Sequence, residues 1–454
     1  MQVRLVQFVA GAACLALGGL VAGQTEIAGV PRALLDRRLQ ERPVLLVGID
    51  SHTITYTDSA GLVRTEPIGE FVAILPALAG ELPKRIAQPA PPATSTPESR
   101  PFIGPGDLLA ARPTTVLELV DGQRFAGSLL APDAARPGNP ESLIWSHPLL
   151  GPLEVKIERV RRIRLSDPAP ASPASAPPGA AQPGKDDVVI FANGDRLEGF
   201  VESVGAKLKV VPGSDPAAGA REFDLGVVRE IVFANPPQPW PSPATLVWLR
   251  DGSVIACRGM STGRLGDVSL AAEIRNTEAA PSESPESSAL LRLEDLLAVA
   301  FDPGALEPLA SLTPVDVRPI ADRRWTKPSA VLDADRAVLG AADIGLPGPM
   351  TVAWDLPRGA TRLATEAFLP RPMWTWGDCE IVVLMSAPTA GAAETELFRG
   401  RLNSDHPRAR ISVALGEPAA DRRLHFRLEP GNFGPIQDQV VLKRPMLLMD
   451  KAPG

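Results

Sequence analysis

Cysteine and histidine are scarce in this chain of 454 residues, which has three of the first and four of the second. Cys14 lies in an apolar N-terminal stretch, so Cys257 and Cys379 allow one disulfide at most and neither a disulfide scaffold nor a zinc site. The histidines, His52, His147, His406 and His425, show no metal-ligand spacing. Ser51 and Ser146 precede two of them, but adjacency in sequence is not the geometry of a catalytic triad. No G-x-S-x-G, H-E-x-x-H or glycine-rich phosphate loop occurs, and paired carboxylates such as Glu294 and Asp295 read as turn or surface residues, so catalysis is not expected. Asp378 and Asp405 are too few acids for a calcium site. No cofactor or metal is therefore expected.

Aromatic residues make up only 5% of the chain, with Tyr56 the single tyrosine, while apolar residues reach 44%. Cores must then be built from Val, Leu, Ile and Ala, which suits β-rich modules. The net charge of −7 is spread without a basic stripe, which argues against a nucleic-acid partner. After residue 23 no run is long and apolar enough to cross a membrane.

The first 23 residues, "MQVRLVQFVAGAACLALGGLVAG", carry Arg4, an apolar stretch and small residues at Val21-Ala22-Gly23, the pattern of a signal peptide. The chain is expected to be exported, to a periplasmic, cell-surface or extracellular location. Its one route to a membrane would be retention of that segment as an anchor.

Proline (49) and glycine (39) are abundant and clustered, which argues for several small domains joined by stiff linkers. Three stretches repeat: "LELVDGQRFAGSLL" from Leu117, "VIFANGDRLEGFVE" from Val189 and "LVWLRDGSVIACRG" from Leu246. Each reads as two strands around Asp121-Gly122, Asn193-Gly194 or Asp251-Gly252, and such dipeptides predict type I′ hairpins with positive φ at both central residues. Each copy closes alike, in "VKIERVRRIRL", "FDLGVVREIVF" and "LRLEDLLAVAF". A degenerate copy at 36–75 keeps "HTITYT" and "IGEFVAI" but lacks the Asp-Gly turn.

The expected layout is a signal peptide (1–23), a degenerate module (30–80), a proline-rich linker (81–112), a module (113–166), a second linker (167–185), two further modules (186–236 and 243–304) and a C-terminal sandwich (306–450). The tracts 87–101, 167–184 and 277–288 are too polar and proline-rich to bury a core. In pattern the modules resemble small SH3-like or Sm-like barrels. Seven or so strand-like runs after about Leu306 imply an antiparallel β-sandwich, so the whole is read as all-β.

Landmarks in this last region occur in order. They are Leu309, Leu312, Pro314 and Val315; Trp354-Asp355-Leu356 leading into "ATRLATEAFL"; "FRGRL" at 398–402; and Leu424, Phe426, Leu428, Gly431 and Asp438 before a final strand. Over roughly 140 residues the region resembles the NPCBM family of carbohydrate-binding modules. The resemblance implies a jelly-roll sandwich that binds galactose-like or related glycans as a non-catalytic appendage. Two family landmarks are missing. The loop 343–350, "DIGLPGPM", has no histidine, and Asp438 is followed by Gln439-Val440-Val441-Leu442 rather than a His and Trp.

Sugar sites on β-sandwiches use flat aromatic faces with Asp, Asn or Gln for the hydroxyls. In "RPMWTWGDC" the i, i+2 spacing would place Trp374 and Trp376 on one face of an extended segment, and Asn432, Gln437 and Asp438 lie in a glycine-containing turn. These five are the candidate glycan contacts, packed tryptophans being the alternative. Arg427 reads as solvated. Expected partners are a glycan or cell-envelope polysaccharide. The other reading is a structural or protein-interaction scaffold of the cell envelope, with envelope proteins as partners.

Overall fold

The alternating run Thr53–Thr57 is a strand in a computed structural model of the chain, with Ile54 and Tyr56 buried and the threonines facing outward. The structure describes residues 29–77, 115–130, 141–166, 185–214, 219–238, 245–263, 267–272, 290–319, 329–332, 334, 337–389, 391–416, 418 and 421–450. The expected signal peptide, with Cys14, and the tracts 87–101, 167–184 and 277–288 lie outside them.

Four small units precede a sandwich. Unit 1 has β1 (Val30–Asp36), β2 (Glu41–Ile49), β3 (Thr53–Thr57), β4 (Val63–Pro67) and β5 (Phe71–Pro76). Unit 2 has β6 (Val116–Leu119), β7 (Arg124–Ala126), β8 (Ser128–Leu130), β9 (Ser142–His147), β10 (Gly151–Lys156) and β11 (Val160–Arg164). Unit 3 has β12 (Asp187–Phe191), β13 (Arg196–Val204), β14 (Lys207–Pro212), β15 (Arg221–Asp224) and β16 (Val228–Val232). Unit 4 has β17 (Thr245–Leu249), β18 (Val254–Thr262), β19 (Asp267–Ala272), β20 (Leu290–Arg292) and β21 (Leu296–Ala300). In each, the last strand pairs with the first. Units 1 to 3 enter that last strand through one 3₁₀ turn, at Ile68–Glu70, Ile157–Arg159 and Leu225–Val227. The pairings run antiparallel along open paths, β5-β1-β2-β3-β4 in unit 1, and no pairing among the described residues closes a barrel.

The repeated hairpin differs from expectation. Positive φ falls on Gly122, Gly194 and Gly252 alone, not on the Asp or Asn before them. The N–H of Leu119, Phe191 and Leu249 donates to the carbonyl of Gln123, Asp195 and Ser253 at 2.8, 2.9 and 2.9 Å, enclosing three-residue loops. These are type I turns closed by a left-handed glycine, not type I′. Asp121, Asn193 and Asp251 each accept the N–H two residues on, which stabilises the turn without positive φ at that residue. Unit 1 makes the same loop, Asp36 N–H to Gln40 carbonyl at 3.2 Å, with Leu39 at φ 57° where the others have glycine. In unit 2 the second strand breaks into β7 and β8 at Gly127 (φ 147°), where a Cβ would run into the Ser146 carbonyl and the Trp145 indole.

Strand edges join the units. The last strand of unit 1 pairs with the last strand of unit 4, Ile74 opposite Val299. Those of units 2 and 3 pair likewise, Ile163 opposite Ile231. Buried Arg32 reaches from unit 1 to the Leu296 carbonyl of unit 4, and burial lowers its pKa to about 10. Units 2 and 4 meet hairpin to hairpin around buried Gln123, Ser253 and His147. His147 Nδ1 accepts the N–H of Leu149 and of Leu150, both at 3.0 Å, and Nε2 lies 2.9 Å from Ser253 Oγ and 3.3 Å from Asp251 Oδ2.

The sandwich comprises β22 (Leu306–Pro308), β23 (Asp316–Pro319), β24 (Ala330–Leu332), β25 (Asp343–Leu346), β26 (Met350–Asp355), β27 (Ala360–Phe368), β28 (Cys379–Ser386), β29 (Thr395–Leu402), β30 (Arg408–Ala414), β31 (Arg423–Pro430) and β32 (Val440–Met449). One sheet runs β24-β25-β32-β27-β30 with β22 on β32, the other β23-β26-β31-β28-β29. Both faces contribute to one core, in which Trp354 meets Phe426 edge-to-face at 5.9 Å. Cys257 and Cys379 are free and buried in different bodies, so no disulfide links them, and burial pushes the Cys257 thiol up to about 12.

Unit 1 packs on the sandwich through Ala33, Leu35, Leu39, Val338, Leu339 and Met446. Arg444 pairs with Glu41 at 3.0 Å. Leu39, Leu339 and Arg444, three of the described non-glycine residues with positive φ, all sit at this joint.

Two outcomes follow from the loops and the His147 joint. Gly194 has φ 93° and open space around it, so Gly194→Ala should cost about 1 kcal/mol by backbone strain alone. Gly69→Ala, equally open but without positive φ, should be neutral in urea unfolding. Burial holds the His147 pKa below its ordinary value, with Asp251 opposing. A neutral buried histidine binds fewer protons folded than unfolded, so its contribution is full above about pH 6.5 and is lost as pH falls below it. Stability measured from pH 8 to pH 5 should decline less steeply in His147→Gln than in the wild type.

Candidate functional site

Two loops meet at one end of the sandwich. One, 371–378, joins β27 to β28, and the other, 431–438, joins β31 to β32. The first does not run extended: Arg371–Met373 forms a 3₁₀ turn and Trp374 continues it in the αR region, φ −66° and ψ −26°. This separates the two tryptophans, contrary to the shared face expected from i, i+2 spacing. Trp374 is half-buried against the core, donates its indole N–H to the Leu369 carbonyl at 2.8 Å, and carries Arg371 over its ring at 5.6 Å. Trp376 turns outward and is 51% exposed.

Trp376 is not alone there. Phe433, 52% exposed, meets it edge-to-face with centroids 5.9 Å apart and planes at 88°, and Ile436 is also exposed. Singly exposed apolar residues are ordinary, but a contiguous exposed patch marks an interaction surface.

Asp378 fastens the two loops. Its buried carboxylate takes both arms of Arg401, Oδ1 from Nε at 2.8 Å and Oδ2 from Nη2 at 2.7 Å, and accepts the Asn432 N–H at 2.8 Å. Its backbone carbonyl accepts the Gly431 N–H at 2.6 Å, and its own N–H donates to Asp438 Oδ1 at 3.2 Å. The Arg401 guanidinium, and to a lesser degree the Asn432 N–H, hold the Asp378 carboxyl below the usual range against the opposing effect of burial. Two glycines permit the closeness: a Cβ on Gly377 would stand 2.5 Å from the Met373 carbonyl, and one on Gly431 would collide with that of Asp378.

The five sequence candidates therefore divide. Trp376 and Asn432 are exposed at the loop surface. Gln437, at φ 59°, uses its Oε1 to accept the Trp376 N–H at 3.2 Å. Asp438 is only 2% exposed and braces the Asp378 backbone, out of reach of a surface ligand, because the chain must turn inward there to begin β32. Trp374 is a plug at the core's edge. Sequence reasoning missed Phe433 and Ile436, whose signal is two apolar residues in an otherwise turn-forming run, "GNFGPIQD", and the Asp378–Arg401 pair.

Elsewhere the remaining polar candidates are buried or ion-paired. His425 is buried beside Ser386 Oγ at 2.8 Å, and its pKa is lowered by burial. Arg427 faces outward as expected and pairs there with Glu394 at 2.5 Å. A cleft of about 360 Å³ lies between unit 1 and the sandwich, but Glu41, Lys443 and Glu366 on its walls are paired with Arg444, Asp343 and Arg408, and no aromatic residue lines it. No group of three or more metal-ligating side chains occurs among the described residues, and no described helix is long and apolar enough to cross a membrane.

No family model matches the chain, and no curated protein does. Solved structures similar to it are carbohydrate-binding modules. The CBM51 module of a Clostridium perfringens GH95 protein, in complex with methyl-galactose, is 11% identical over 31% of this chain and 99% of its own, at a TM-score of 0.24. The CBM51-2 and INT domains of Clostridium perfringens ZmpB match at 12% over 32% of this chain and 31% of that one, at 0.23. The CBM22-1 xylan-binding domain of Paenibacillus barcinonensis Xyn10C matches at 9% over 31% and 97%, at 0.21. Scores below 0.5 are too low to carry a ligand or an activity from these proteins to this chain.

Asp378→Asn should loosen both loops. Weakening one charge-assisted pair whose arginine is half exposed should cost about 1–2 kcal/mol, seen as a lower melting temperature and a red shift of Trp376 emission. Because the folded pKa of Asp378 is depressed, the wild-type fastening is full above about pH 4 and is lost as pH falls through the folded value. The asparagine variant should lack that acid-dependent step.

Proposed function

We propose that the chain is an exported, non-catalytic multidomain protein whose C-terminal sandwich is an NPCBM-type module that contacts glycan through Trp376 and Phe433. The observation that carries this reading is the exposed Trp376–Phe433 pair on two loops fixed by Asp378. A rigid aromatic surface meets the apolar face of a sugar ring with little ordering cost, and neighbouring amides serve the hydroxyls. Exposed Asn432 and the amide nitrogen of Gln437, whose Oε1 holds the Trp376 N–H, support that role. Export rests on the N-terminal pattern of residues 1–23. A scaffold role in the cell envelope is the second reading, favoured by the edge-to-edge assembly of the units.

The test is a glycan array followed by calorimetry on the full chain, with methyl-galactose and xylan fragments among the first probes. Trp376→Ala and Phe433→Ala should each weaken binding about tenfold, the equivalent of about 1–1.5 kcal/mol of stacking, without lowering the melting temperature. Trp374→Ala should instead destabilise the sandwich. A folded wild type that binds no glycan, or binding that survives both substitutions, would overturn the proposal.

A further inference from the structure

The contact between units 2 and 4 is a pseudo-twofold exchange between two copies of the same hairpin. The residue after the turn glycine in each unit supplies a side-chain acceptor, and the residue four after that glycine supplies an N–H. Ser253 Oγ accepts the Ala126 N–H at 2.9 Å, and Gln123 Oε1 accepts the Ala256 N–H at 3.0 Å. Between them Arg124 and Val254, each two after its glycine, are paired strand to strand. Ser253 and Gln123 are fully buried by the exchange.

The other two units carry the same hairpin with different fates. In unit 1 the matching positions are Gln40, Glu41 and Pro43. Proline has no N–H to give, and Glu41 is turned to Arg444 of the sandwich. In unit 3 they are Asp195, Arg196 and Glu198. The Phe191–Asp195 bond and the register Ile190 opposite Arg196 alternate so that Arg196 and Glu198 direct their N–H groups away from β12. The Glu198 carbonyl on that edge accepts from Gly213, and β14 pairs with β13 only from Gly199 onward. Asp195, Arg196 and Glu198 are all exposed. Phe200, on the same face of β13 as Arg196 and Glu198, is 67% exposed.

We infer that the unit 3 hairpin is a homodimer contact, in which a second copy of this chain places its own hairpin across a twofold axis and repeats the exchange made between units 2 and 4. The Asp195 carboxylate would accept the partner chain's Glu198 N–H, and the reverse, with Arg196 at the axis. Units 2 and 4 use neutral acceptors where unit 3 has a carboxylate, which takes the Asn193 amide N–H at 2.7 Å and keeps further lone pairs for an incoming N–H. A self-complementary edge of this kind closes as a pair instead of continuing as a fibre.

Sedimentation equilibrium of the full chain up to about 100 µM tests this. Wild type should approach twice the mass of the 48.0 kDa chain. Glu198→Pro, which copies unit 1's Pro43, should be monomeric with an unchanged melting temperature. In a Cys14→Ser background, Arg196→Cys should form a disulfide-linked dimer on oxidation, since paired strand residues on the axis lie within disulfide reach and Cys257 and Cys379 are buried. A monomeric wild type, a dimer that Glu198→Pro leaves intact, or a dimer that Arg196→Cys does not cross-link would each overturn the inference. Should Glu198→Pro fail to fold, the cross-link decides.

Discussion

A strand edge left in water exposes a row of N–H and C=O groups, and this constraint organises most of the molecule. Each small unit has one of its own edges covered where its last strand returns to its first. The opposite edge of that last strand is then covered by the last strand of another unit, β5 by β21 and β11 by β16. Units this small cover only part of their apolar surface when they stand alone. Pairing edges extends one apolar core through all four units, from Leu34 and Phe71 to Val201 and Val247.

At the C-terminal end the same economy of parts leaves a candidate site instead of a joint. The sandwich closes its own core around Trp354 and Phe426, so its end loops are free to be shaped by local bonds. A single carboxylate, Asp378, receives an arginine and a backbone N–H, and its own main chain bonds to Gly431 and Asp438. That concentration of bonds on one residue ties the two loops together and leaves Trp376 and Phe433 outside. Rigidity matters because an aromatic surface already in place loses little entropy when it is covered. Backbone strain gathers at these places too, with Gln437 beside Trp376 and with Leu39 and Arg444 where unit 1 meets the sandwich.

Much of the fold was legible in residue pattern. The hairpins around Gly122, Gly194 and Gly252 were readable because only glycine takes φ near 90° without strain, and the strand content followed from alternating Val, Ile and Leu. Their turn type was not readable, since Asp-Gly serves both type I′ loops and the three-residue loop seen here. Unit 1's loop was hidden because Leu39 occupies the left-handed position, held there by burial against the sandwich, a long-range cause that a local pattern cannot carry. The site was half legible. Trp376 and Asn432 stand at the surface, but Trp374 was drawn inward by the 3₁₀ turn at Arg371–Met373, and Asp438 by the start of β32. Phe433 joined Trp376 only through the fold, 57 residues downstream in sequence and 5.9 Å away in space.

The central claim is that the loops 371–378 and 431–438 form a preset surface for a ligand at the end of the sandwich. Hydrogen–deuterium exchange on the full chain, with and without a mixture of galactose-containing oligosaccharides, tests it most directly. The account predicts slow exchange in both loops before ligand is added and further protection confined to them after. Fast exchange in the free loops, or protection that appears instead on the units or nowhere, would contradict it.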